Sequence, residues 1–279
     1  EGLAAIEVAL VPLPRHTAIV LVAFDDQHAA LEAVPEMLAS EPSAIEHIDR
    51  FLMRMQREAG GDYSIAQFIG ADDPEAVLIT EFYGESPAEI SSKTARLEQI
   101  LTRIAPSSRR YRFGQHHAQQ AVWGMRKAQS GLLSRQRSAL KPLSFIEDVA
   151  VPVQHLAAYI RDLLHIADAF RVEVTMGAHA SAGCLHVMPF LNLKTALDVE
   201  RMQGISAATA ELVGRYDGAM SSEHGDGLAR SWLNRRVFGE PIYRAFQQVK
   251  AAFDPNNRMN PGKIVDGPPI TESLRFGPA

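Results

Sequence analysis

Two stretches of this chain, residues 17–104 and 144–216, show the same order of patterns: strand, helix, strand, strand, helix. That order constrains the fold more than any single motif. Strands that return through a helix and then pair across a short turn form split β-α-β units. Such units build an α+β fold of the ferredoxin-like kind, an antiparallel sheet with helices packed on one face. In the first half, residues 17–24 are rich in β-branched side chains and read as a buried strand. Asp25 and Asp26 cap a helix through about Leu38, bent at Pro35. Residues 44–48 and 76–83 read as strands, and 64–69 as a short one after a turn at Gly60, Gly61 and Asp62. Ser86 and Pro87 open a helix that runs to about Ile104.

In the second half, residues 144–151, 172–178 and 185–191 read as strands. Pro152 starts a helix through about Phe170, and 195–216 is a further helix. A single long helix, 115–135, joins the halves after an edge strand at 111–113, and residues 134–141 read as a polar loop. Residues 240–253 form the last helix, and beyond Asp254 and Pro255 the tail loses periodicity. Residues 4–11 alternate as a strand does, closed by Pro12 and Pro14.

Composition narrows the function classes. With 279 residues, 46% hydrophobic and 22% charged, the chain can bury a sizeable core. A net charge of -5 argues against a nucleic-acid binder, so Arg109, Arg110 and Arg112 read as a solvated strand end. No apolar run approaches the roughly 20 residues of a membrane span. The single cysteine, Cys184, forbids an intrachain disulfide and favours a cytoplasmic setting. There is no signal-peptide pattern, and no Gly-x-Gly-x-x-Gly turn or Walker-type loop to hold phosphates. The chain starts at Glu1 without Met, and both ends read as cut from something longer.

Chemistry gathers in two stretches. One is residues 179–186, His-Ala-Ser-Ala-Gly-Cys-Leu-His; the other is residues 221–227, Ser-Ser-Glu-His-Gly-Asp-Gly. If Ala182 and Gly183 are the two turn residues of a hairpin, His179 faces His186, with Cβ atoms about 4.5–5.5 Å apart on one face. Two imidazoles so placed can share a metal ion, and Glu223, in a glycine-flanked loop, can supply a third ligand. Two His and one carboxylate with open positions make a catalytic rather than a closed structural site. His224 is then the free base beside it, since imidazole titrates near neutrality. The plainer alternatives stay open: a polar cap at Glu223 and His224, or two stacked histidines on a wet hairpin. His116 and His117 cannot both face one site from a helix. His155 and His165 fall on an amphipathic helix, and His16, His28 and His47 have no partners in sequence. Cys184 reads as a small hairpin residue rather than a nucleophile.

With these motifs in order, the chain resembles the C-terminal, substrate-binding domain of FAD-linked oxidases of the vanillyl-alcohol-oxidase class. That group includes D-lactate, glycolate and D-2-hydroxyglutarate dehydrogenases, and the subgroup fused to an iron–sulfur domain looks most similar. The resemblance covers nearly the whole chain. It rests on residues 177–186, on 222–227, and on 252–263, which end in Asn-Pro-Gly-Lys. Residues 1–14 look like the end of an FAD-binding domain, residues 15–265 the substrate and metal domain, and 266–279 a linker towards a further domain.

The resemblance implies His179, His186 and Glu223 as ligands of a divalent ion, zinc first among them, and His224 as the general base. It implies Arg126, with Ser130 one turn on, as the group that binds a substrate carboxylate, with Lys141 a further candidate; a guanidinium suits that task. Asn260 and Lys263 would lie near the flavin. The implied activity is oxidation of a D-2-hydroxy acid to a 2-oxo acid, with FAD held by a separate FAD-binding domain and with an iron–sulfur domain or another electron-transfer partner downstream. The chain alone is then expected to hold no FAD and to oxidise nothing. A cytoplasmic location, peripheral to the membrane or not, goes with this. Relatives often carry Gly-Asp-Gly-Asn where this chain has Ser181, Ala182, Gly183 and Cys184, so the substrate roles carry over less firmly than the metal ligands. Two other classes fit the residues: a free-standing metal-dependent hydrolase using the same His/His/Glu set, and a non-catalytic ferredoxin-like binding module.

Overall fold

The computed structural model describes residues 5–60, 64–134, 138–274 and 277–278, leaving aside the side chains of Ser130 and Ser134. In chain order the elements are β1 (His16–Phe24), α1 (Gln27–Met37), β2 (Ala44–Asp49), α2 (Arg50–Ala59), α3 (Ala66–Ile69), β3 (Ala76–Gly84), α4 (Pro87–Ile104), β4 (Arg109–Phe113), α5 (His116–Lys127) and α6 (Gln129–Ser134). They continue as β5 (Lys141–Pro142), β6 (Val149–Ala150), α7 (Leu156–Ala169), β7 (Val174–His179), β8 (Cys184–Leu191), α8 (Ala196–Arg215), α9 (Gly227–Arg230) and α10 (Asn234–Phe253). Among the described residues the strands form one antiparallel sheet in the order β4-β1-β3-β2-β7-β8-β5, with β6 also on β8. The two halves therefore meet where β2 pairs with β7.

The expected α+β architecture is present. β1 shows why the sheet is central: Val20, Val22 and Phe24 enter one core and Ile19, Leu21 and Ala23 the other. A strand buried on both faces reads as a continuous apolar run, as β1 does. The larger core packs α1, α4, α7 and α8 against one face. A smaller core packs Leu52, Met53, Val122, Met125 and Leu133, from α2, α5 and α6, against part of the opposite face. Helix starts follow the capping chemistry. Asp26 Oδ1 accepts from the His28 N–H, Ser86 Oγ from the Glu89 N–H ahead of Pro87, and Thr195 Oγ1 from the Asp198 N–H.

Several expectations need correction. Residues 64–69 are not a strand; N–H groups of Ile69 and Gly70 bond back to Ile65 and Ala66, closing a short helix. The helix α2 has no counterpart in the sequence reading. Asp49, the last strand residue, caps it through the Leu52 N–H. The long connecting helix is two, parted at Ala128. The strand expected over 144–151 shrinks to β6, because Asp148 adopts φ 76°, a left-handed conformation that ends strand pairing. The last helix begins at Asn234 and breaks at Gly239, φ 74°, just ahead of the Glu240 start read from sequence. Residues 5–14 form no strand. Alternation supplies a face but not a partner, and both edges of β1 are taken by β3 and β4.

Candidate metal and catalytic site

The β7–β8 hairpin puts two imidazoles on one face of the sheet. Its register pairs His179 with Cys184 and Gly177 with His186, not His179 with His186 as a two-residue turn would. The loop is wider: a 3-10 turn over Ala180–Ala182, then Gly183 at φ 71°. The register differs from expectation by two residues, and an even offset keeps every side chain on its face. The rings therefore stand diagonally, centroids 5.0 Å apart and nearly perpendicular. The width is set from outside the hairpin. The Val151 N–H donates to the Gly183 carbonyl, and a Cβ at Gly183 would lie 1.9 Å from the Val151 oxygen. Gly183→Ala is thus expected to destabilise the chain by about 1–3 kcal/mol, read as a lower midpoint in urea unfolding; an unchanged midpoint would contradict this packing.

The loop carrying Glu223 and His224 is shaped by a residue the sequence reading placed only within a strand. Asp148 is fully buried, and its carboxylate accepts from the hydroxyls of Ser221 and Ser222 and from the backbone N–H groups of Glu223 and His224, at 2.6–2.9 Å. Its own carbonyl accepts from the Ser222 N–H. Burial alone would raise the Asp148 carboxyl; the four donors outweigh it and hold the group down to about 2. Arg230, itself buried, bonds to the carbonyls of Glu147 and Gly225 and closes the loop from behind. Nothing in residue spacing links Asp148 to the loop 73 residues later; its left-handed backbone, invisible in sequence, is what turns the carboxylate inwards.

Hairpin and loop meet as expected. The Nε2 atoms of His179 and His186 lie 3.3 and 3.2 Å from Glu223 Oε1. Two further groups could hold a cation, Glu147 with His186 and His224, and Asp148 with Glu223 and His224. The His179, His186 and Glu223 set suits one best. Its two ring nitrogens converge on one carboxylate oxygen, whereas the Asp148 oxygens already serve four donors. His224 stands alongside, its ring stacked on His186 at 5.4 Å, Nε2 3.7 Å from Glu223 and Nδ1 3.7 Å from Glu147. The two hairpin imidazoles differ. The hydrogen bond to Glu46 raises the pKa of His179, while burial and the neighbouring His179 lower that of His186. Burial pushes the Cys184 thiol up to about 11, consistent with a packing role for that residue.

A second missed residue lies behind the set. Glu46 on β2 pairs directly with His179 across the sheet. Its Oε1 is 2.7 Å from His179 Nδ1, and its Oε2 accepts from Arg126 Nε at 3.1 Å and lies 3.0 Å from Nη2. The strand is legible in the sequence, but which face its polar residues take depends on its pairing with β7. Arg126, on α5, is thereby brought to the metal-ligand candidates, with Nη1 donating to Gln129 Oε1. A cleft of about 680 Å³ opens beside His224 and is lined also by Lys141, Glu147, Met188, Asn192 and Lys194. Ser130 lies on α6, one turn from Arg126, but its side chain is outside the described residues. Asn260 and Lys263 are not brought to the cleft; they sit exposed on the turn after α10, bonded to each other.

This fold occurs in solved oxidase and hydroxylase structures. p-Cresol methylhydroxylase with substrate bound superposes with a TM-score of 0.65 at 13% identity, covering 95% of this chain and 55% of that one. 4-Ethylphenol oxidase from Gulosibacter chungangensis, in its isoeugenol complex, gives 0.64 at 14% identity, covering 92% and 55%. At such identity the likeness concerns the fold. The family is set by sequence: residues 13–264 match the family of FAD linked oxidases, C-terminal domain, and the chain belongs to it. D-2-hydroxyglutarate dehydrogenase of Pseudomonas putida is 34% identical over 263 residues, 91% of this chain and 26% of the relative. Glycolate oxidase subunit GlcD of Escherichia coli is 25% identical over 277 residues, 98% of this chain and 52% of the relative. The chain thus spans about a quarter of the first relative's length and half of the second's.

Proposed function

We propose that this chain is the substrate- and metal-holding domain of a flavin-dependent dehydrogenase that oxidises a D-2-hydroxy acid to a 2-oxo acid. The observation that carries the reading is the convergence of His179 and His186 on Glu223, with His224 beside them at the cleft wall. The names of the relatives, D-2-hydroxyglutarate dehydrogenase and glycolate oxidase subunit, support it.

His179, His186 and Glu223 offer two neutral nitrogen donors and one carboxylate, a donor set suited to zinc or a similar divalent ion. Such an ion would supply Lewis acidity at this point. His224 would serve as the base for the substrate's hydroxyl proton at Nε2, the ring nitrogen facing Glu223, while Glu147 lies beside Nδ1. Among the described residues, Arg126 gives Nη1 to Gln129 and Nε and Nη2 to Glu46, and a guanidinium so placed suits a carboxylate of the substrate. Lys141 and Lys194, on the cleft wall, suit a substrate with a second acidic end, and D-2-hydroxyglutarate is the first to try. A flavin, bound outside this chain, supplies the two-electron acceptor.

Asn260 and Lys263 reach that flavin only if its domain covers their surface turn. An iron–sulfur domain fits the place of the next electron carrier. Among the described residues no helix is long and apolar enough to cross a membrane; a cytoplasmic location belongs to the proposal on the strength of the lone Cys184.

The 279 residues alone are expected to purify without flavin absorbance, to bind one zinc or manganese ion per chain, and to oxidise no 2-hydroxy acid. Absorbance spectra, metal analysis and dye-linked assays check this. Stoichiometric flavin on the isolated chain would contradict the division of labour. Metal-dependent hydrolysis of esters or amides by the isolated chain would favour a hydrolase instead. Failure to bind any divalent ion would leave a binding module.

A further inference from the structure

The buried carboxylate of Glu46 touches two of the groups assigned above and was assigned to nothing by the sequence. It is only 6% exposed, and it spends both oxygens on donors: one on the imidazole of His179, the other on the guanidinium of Arg126. Its placement is not a side-chain accident. Glu46 and His179 are a directly opposed pair on neighbouring strands, so their Cβ atoms stand on one face at close range.

We propose that Glu46 is a positioning residue: it fixes His179 in the tautomer that carries the proton on Nδ1, turns Nε2 towards Glu223, and ties that imidazole to Arg126. The proposal rests on the metal reading above. The physical reason is the inventory of donors. A neutral imidazole has one N–H and one lone pair, and the bond made by one nitrogen decides what the other can do. Glu46 offers only acceptors, so the nitrogen it meets must carry the proton, and Nε2 is left with the lone pair that a cation needs. A carboxylate rather than an amide is required because both neighbours are donors. An amide has one oxygen and an NH2 group that cannot accept, so it cannot give His179 and Arg126 an acceptor atom each, as the two oxygens of Glu46 do. Carboxylates behind ligating histidines commonly act in this way, and their loss weakens metal binding about 10–100-fold.

Glu46 would equally be explained as a counter-charge that merely keeps Arg126 folded, so the test reads quantities which that role does not move. Long-range 1H–15N spectra of the metal-free chain, taken at a pH where His179 is neutral, should show Nδ1 protonated and Nε2 bare. In E46Q and E46A the same residue should shift to a mixture or to the Nε2–H form. Zinc titrations with a competing chelator should show a 10–100-fold weaker ion for both variants, with unfolding midpoints reported alongside. E46Q, close in shape, keeps the test alive if E46A does not fold. An unchanged tautomer in E46Q, or zinc affinity within threefold of the parent, overturns the proposal. A parent chain that binds no zinc overturns the metal reading instead, and the tautomer then decides the role of Glu46 alone.

Discussion

In the flavin-containing protein proposed to carry this domain, His224→Ala should lower turnover of a 2-hydroxy acid by about 10²–10⁴-fold, the usual worth of a positioned general base. The loss should appear in kcat, with KM changed little, because Arg126 and the ligand set still hold the substrate. Metal content should stay at one ion, since His179, His186 and Glu223 meet without His224. His186→Ala should instead lose the ion. That contrast separates base from ligand, although the two rings lie stacked 5.4 Å apart. Turnover in His224→Ala within threefold of the parent would remove His224 from the chemistry.

Asp148→Ala should cost about 3–5 kcal/mol, the scale seen when one partner of a buried charged network is removed. The variant strands the N–H groups of Glu223 and His224 and the hydroxyls of Ser221 and Ser222, all four of which point at the missing carboxylate. Arg230, 3.7 Å from that carboxylate and buried, also loses its nearest counter-charge. The loop should loosen and metal affinity should fall with it. The acid dependence has a definite sign. The Asp148 carboxyl is held at about 2 in the folded chain, below its ordinary 3.8. A depressed folded value means the stabilisation is complete above about pH 4 and is lost as the pH falls from 4 towards 2. At neutral pH it amounts to roughly 2–3 kcal/mol. Denaturant midpoints measured from pH 7 to 2 should fall steeply below pH 4 in the parent and less in Asp148→Asn, and parallel curves would contradict the assignment.

The meeting of the two stretches was legible in the sequence because the candidate ligands lie in short, distinctive motifs. The hairpin and the Glu-His loop could be expected to meet, and they do, even though the register differs by two residues. Strand parity protected that inference: an offset of two leaves His179 and His186 on one face, whereas an offset of one would have separated them. What was not legible depends on contacts between remote segments. Glu46 lies 133 residues from His179, and Asp148 lies 73 from Ser221. Neither pairing leaves a trace in spacing. The fold behaves likewise. Capped helices such as α4 were legible to the residue, since Ser86 and Pro87 are local signals. Residues 5–14 form no strand here, because alternation names a face and not the partner strand that must pair with it.

The most direct test of the account is anaerobic mixing of the flavin-containing parent protein with D-2-hydroxyglutarate, glycolate and D-lactate in turn, following the flavin absorbance. The account predicts that at least one of the three bleaches the oxidised flavin, with formation of the matching 2-oxo acid, and that Glu223→Ala abolishes the bleaching. A flavin that can be reduced chemically but by none of these acids, or bleaching that survives Glu223→Ala unchanged, would contradict it.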